Sequence, residues 1–148
     1  MRALQLFAIL GLACVTIARA GGDDYTYDRE VQTLLKTTHF GFGGVGMTRN
    51  IPAGEAALRR IMQRDDAIKY LFPVFDNGTP AGKCYALVGF RLLSPKYFES
   101  SCKRIAPWND STIDAVSGCI VGERKLAEIV HLIRDGRYDD ETLGKKNG

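Results

Sequence analysis

The chain has little of what catalytic sites are usually built from. Its 148 residues include two histidines, four cysteines and one tryptophan. There is no His-x-x-x-His, Cys-x-x-Cys or paired-carboxylate pattern. A zinc site would therefore need scattered ligands, and no metal is expected. Beyond the first twenty residues no apolar run reaches the ~20 residues that a membrane-spanning helix requires. No block of like charge exceeds Asp139-Asp140-Glu141. A chain this evenly charged lacks the electrostatic footprint of a nucleic-acid binder, and no nucleic acid partner is expected.

What is present begins with an export signal. Arg2 is a short basic region, Leu4 to Ile17 is apolar, and Ala18-Arg19-Ala20 offers a small-x-small cleavage site. Residues 1–20 are read as a signal peptide cut after Ala20, which makes the mature chain secreted or periplasmic. Cys14 lacks the leucine three residues upstream that lipoprotein sites show, so lipidation is not expected. Of the 20 basic residues, Arg2 and Arg19 leave with the signal, so 18 face 17 acidic ones. What is left suits one domain with a real core, assigned to residues 21–138, followed by a polar tail from Tyr138 with residues 139–148 disordered.

The mature chain keeps Cys84, Cys102 and Cys119, an odd number in an oxidising compartment. Cys84 falls in an apolar helix and reads as a small core side chain. Cys102 and Cys119 are then the candidate disulfide, whose loop would contribute ~3 kcal/mol. Alternatively, Cys119 is a nucleophile with His39 or His131 as the base that generates its thiolate.

The best-marked element is a helix starting at Thr79-Pro80, with threonine as N-cap and proline at the first helical position, and ending before Ser94-Pro95. It is apolar nearly all round and should be the central post of the domain. Before it the periodicity predicts helices over Tyr25 to Thr37, with Asp28 able to cap, over Asn50 to Asp65, and over Ala67 to Phe75, where Pro73 must kink or shorten the helix. After it, Lys96 to Ile105 turns Tyr97, Phe98, Cys102 and Ile105 inward. Ser111 to Gly122 reads as an extended segment whose partner strand should lie in the glycine-rich region. Glu123 to Arg134 reads as a closing helix with Arg124 facing Glu128 and Gly136 as C-cap.

Gly41, Gly43 and Gly46 have the spacing of a dinucleotide-binding turn, but the strand before and the helix directly after that such a turn needs are missing, so no cofactor is expected. The segment reads as a connection whose Phe40 and Phe42 pack on the core. Asn77-Gly78-Thr79 and Asn109-Asp110-Ser111 match the glycosylation acceptor pattern and would mark exposed turns. Trp108, between Pro107 and Asn109, either stays exposed as an aromatic anchor or, as large aromatics more often do, folds back over the core.

Ala67 through Leu93, with its capped pair of helices and the run Ala81-Gly82-Lys83-Cys84-Tyr85-Ala86-Leu87-Val88-Gly89-Phe90, resembles a unit of a HEAT-like or armadillo-like helical repeat. The resemblance covers about a third of the chain and rests on its Ala/Leu/Gly texture. It implies antiparallel helix pairs and a habit of binding other macromolecules. The reading that results is a mainly α fold, a small antiparallel helical stack with a short extended segment near residues 111–121. Its function is read as protein binding through Phe42, Gly43, Gly44 and Trp108, with a small thiol-dependent enzyme centred on Cys119 as the alternative.

Overall fold

A computed structural model describes residues 25–44, 50–117 and 120–139. The expected signal peptide, Cys119 and residues 140–148 lie outside them. Among the described residues the chain is mainly helical, with six α-helices and one three-stranded sheet.

Helix α1 (Arg29–Lys36) opens with Asp28, whose carboxylate accepts from the backbone N–H groups of Glu30 and Val31. Residues Tyr25–Tyr27, expected to be the first turn of this helix, form a separate 3-10 turn instead. The cap explains the break: with Asp28 in extended backbone the helix can only begin after it. Helix α2 (Ala53–Met62) starts after Pro52 and is shorter than predicted at both ends. Helix α3 (Ala67–Asn77) runs through Pro73, which neither ends it nor keeps it from reaching Asn77. Asn77 is thus the last helical residue rather than a turn residue.

Helix α4 (Pro80–Leu93) is the central post. Thr79 caps it by accepting from the Gly82 N–H, and the same hydroxyl donates to the Thr37 carbonyl, tying the helix start to the end of α1. Cys84 through Phe90 are all buried. Every other helix and two of the three strands pack on α4, as a helix without a polar face requires. Helix α5 (Pro95–Ile105) buries Phe98, Cys102 and Ile105 but leaves Tyr97 partly exposed, its ring edge-on to Phe72 at 5.2 Å.

The sheet has the order β1-β2-β3. Strand β1 (His39–Gly41) lies in the glycine-rich region and pairs in parallel with β2 (Thr112–Ser117), Phe40 opposite Ala115. The extended segment therefore finds the partner expected of it, and a second one as well. Strand β3 (Ile120–Lys125) pairs antiparallel with β2, Ser117 opposite Ile120 and Thr112 opposite Lys125. The closing helix α6 (Leu126–Arg134) accordingly starts three residues later than predicted, and Arg124 sits on a strand instead of facing Glu128 along a helix. Val121 on β3 is 62% exposed. Helix α6 ends in the predicted way: Gly136 takes φ +76°, and the N–H of Arg137 bonds to the Leu132 carbonyl at 3.0 Å.

The tail does not begin at Tyr138. That ring packs against Phe40 at 5.1 Å and Phe42 at 5.2 Å, and Asp139 accepts from both Nε and Nη2 of Arg91 on α4. The aromatic contact holds the chain down past the end of α6.

Candidate functional site

The parts of the glycine-rich segment meet the end of the sheet and the end of α6 at one cleft. It is built from the buried side outward. Tyr85, buried on α4, grips β1 with one hydroxyl: it accepts from the Gly41 N–H at 3.1 Å and donates to the Gly41 carbonyl at 2.8 Å. Its ring has room because residue 54 is glycine; a Cβ there would lie 2.5 Å from the Tyr85 ring. Burial pushes the Tyr85 hydroxyl well above its ordinary pKa, so it remains a neutral donor.

Two residues beyond β1 the chain turns at Gly43, φ +79°, and its N–H donates to Glu55 at 2.8 Å. Glu55 is fully buried on α2, and its second oxygen accepts from Arg59 Nε at 2.9 Å. A buried carboxylate needs a charged partner of this kind. Because both oxygens are bonded, Glu55 acts as a bracket for the segment leading from β1 and not as a free acid.

On this support sits a cleft of about 680 Å³ between the sheet and α6. Its floor is aromatic, made by Phe40, Phe42 and Tyr138. Ala115 and Ser117 from β2 and Arg124 from β3 line one side, and Leu132 on α6 with Asp135 and Arg137 from the turn after it line the other. A smaller hollow of about 280 Å³ borders it under β3, sharing Ala115, Ser117 and Arg124. Beyond β2 the sheet is uncovered: all six residues of β3 are exposed, with Ile120 75% and Val121 62% accessible.

Of the residues predicted to bind, Phe42 and Gly43 line this cleft. Gly44 is exposed beside them but outside the lining. Trp108 lies apart in a 3-10 turn after α5 and is 57% exposed. The expectation that it folds back over the core fails because that turn holds it at the surface after Ile105, the last buried residue of α5.

Cys119, the candidate nucleophile, lies outside the described residues, and only the two histidines of the thiol constellation are described. His39 on β1 faces Asp114 at 3.8 Å and shares a 2.7 Å hydrogen bond with Thr38, while His131 on α6 faces Asp135 at 3.4 Å. The two histidines thus serve different carboxylates on different elements. The expected Cys102–Cys119 bridge involves a residue outside the described ones; among the described residues Cys84 and Cys102 are free, buried thiols. Burial pushes both thiols up, and at Cys102 the neighbouring Arg134 opposes that rise only in part. Cys102 is directed into the helix packing beside Arg134 and Glu99, which is why it behaves as a core residue.

The sequence reading missed Arg124, Arg137 and Tyr138 altogether. Tyr138 carried one available signal, an aromatic two residues past a helix-ending glycine, where a hydrophobic residue often folds back onto the helix. Among the described residues no cluster of histidine, cysteine and carboxylate side chains is placed to hold a metal ion. Comparison with protein-family models, with curated proteins and with solved structures finds no match to this chain.

Proposed function

We propose that this chain is a secreted or periplasmic, non-catalytic domain that binds another protein through the open edge of β3. The observation that carries the reading is the bare end of that strand. An edge strand presents a row of unpaired backbone donors and acceptors, which proteins normally guard with charges. Here Glu123, Arg124 and Lys125 guard only the half next to α6, and the half formed by Ile120, Val121 and Gly122 carries two exposed apolar side chains and no charge. An extended segment of a partner can add to this edge by main-chain hydrogen bonds and cover Ile120 and Val121 with its own side chains. Export is supported by the Arg2, Leu4 to Ile17 and Ala18-Arg19-Ala20 pattern, and no described helix is long and apolar enough to cross a membrane.

A photo-crosslinking amino acid placed at Val121 in the producing cell tests the reading. The expected result is a discrete protein adduct from position 121 that is absent when the same group replaces Ser100 on the exposed side of α5. No adduct from 121, or the same adducts from both positions, would overturn it.

A further inference from the structure

The cleft beneath the hairpin holds donors that have nothing to donate to. Among the described residues Arg124 and Arg137 form no ion pair, and the Tyr138 hydroxyl forms no hydrogen bond, yet all three line the same cavity. Arg124 reaches the cavity from β3 and Arg137 from the turn after α6. Burial raises the Tyr138 hydroxyl, and both guanidinium groups act against that rise. Acidic groups border the cleft as well, with Glu123 and Glu128 lining the adjoining hollow beside Arg124. Asp135 faces His131 at 3.4 Å along α6, and Glu55, behind Gly43, is bonded to Arg59 and to the backbone. The same cleft is lined by two aromatic rings, Phe42 and Tyr138, with centroids 5.2 Å apart and planes at 40°.

We propose that this cleft is a binding site for a carboxylate carried on a flat apolar body. The carboxylate sits between Arg124 and Arg137, where a guanidinium can give it two parallel hydrogen bonds. The body lies on Phe42 and Tyr138, and the Ser117 hydroxyl is available to a polar substituent. A singly charged group is favoured over a dianionic phosphoryl group because Asp135 remains in the wall. The site does not depend on the edge of β3 taking a partner strand, and each can fail without the other.

Titration of the full chain with phenylacetate, followed by the backbone amide NMR shifts of Gly43 and Ser117, tests the proposal. Saturable shifts are expected, with affinity about tenfold weaker in Arg124→Gln and in Arg137→Gln. It should be unchanged in Arg104→Gln, whose parent side chain is bound to Asp76 elsewhere on the surface. Unfolding curves for each variant separate lost binding from lost fold, and Arg137→Lys should keep part of the affinity because the charge remains. A short peptide ending in phenylalanine, as free acid and as amide, identifies the source. A free acid binding well above phenylacetate, with a silent amide, assigns the carboxylate to a chain terminus, and equal binding assigns it to a small molecule. Absence of saturation, equal shifts with benzylamine, or affinity untouched by both glutamine variants would overturn the proposal.

Discussion

Tyr85 and Gly54 are a coupled pair. The tyrosine holds both polar groups of Gly41, and the glycine makes room for the ring. Tyr85→Phe should destabilise by about 1–3 kcal/mol, because it leaves a buried backbone donor and acceptor unpaired. Gly54→Ala should cost about 1–3 kcal/mol for a different reason, a Cβ forced against the ring. Since both act through one side chain, urea unfolding of the double variant should show less than the sum. Independent losses would mean that Gly54 does not work through Tyr85. The cysteines give a second prediction at this scale. With both thiols buried and pushed up, Cys84 and Cys102 should resist alkylation at neutral pH until the chain unfolds, which mass spectrometry after alkylation with and without denaturant would reveal. Fast labelling of Cys102 in the folded protein would refute its placement in the core.

Helix α1 is docked on α2 by charges at its start. Arg64 donates to Asp28 at 2.8 Å and to Glu30 at 3.2 Å, Arg60 donates to Glu30 at 2.8 Å, and the Arg64 guanidinium lies 4.2 Å over the Tyr70 ring. Burial alone would raise the Asp28 carboxyl, but the bonds from Arg64 and from the Val31 and Glu30 backbone carry it below its ordinary value of 3.8. A carboxyl lowered in the folded state stabilises above its unfolded pKa and loses that contribution as pH falls through the folded one. Asp28→Asn should therefore remove part of the stability loss seen below about pH 4 while keeping most of the cap, since asparagine caps nearly as well. Denaturant midpoints measured at pH 7 and pH 3 check this, and an unchanged difference would sink it. In α3, Pro73 lacks the N–H that would bond back to Lys69, and Pro73→Ala should stabilise the chain by about 1–2 kcal/mol. How legible an element was depended on whether its signal was local. The start of α4 was readable because Thr79 and Pro80 specify it by themselves. The start of α6 was not, because Glu123, Arg124 and Lys125 are ordinary helix residues that become a strand only by pairing with β2.

At the scale of the molecule, the site depends on a contact between distant parts of the chain. Phe42 and Gly43 could be proposed as binding residues because glycine and aromatics outside regular elements are locally unusual. Arg124 and Arg137 could not, because each is ordinary where it stands and gains meaning only when α6 returns beside β1, and Tyr138 carried only its place just past a helix-ending glycine. Tyr138 makes that closure by sealing Phe40 and Phe42, while Asp139 holds Arg91 on the central helix. Removing the ring should therefore open the cleft locally without melting the helical body. Tyr138→Ala loses a half-buried aromatic and its ring contacts, about 1–3 kcal/mol. The loss falls on β1, three residues long and held by one neighbouring strand and Tyr85. Amide hydrogen exchange at Phe40 and Gly41 should accelerate strongly, whereas amides in α3 and α4, protected by the main core, should change only as far as global stability does. Tyr138→Phe should leave both exchange patterns near the parent's, because the packing is kept and only the hydroxyl goes. If exchange in β1 and α4 rises together in Tyr138→Ala, the ring is part of the global core, and the cleft is no separate unit that a ligand could brace.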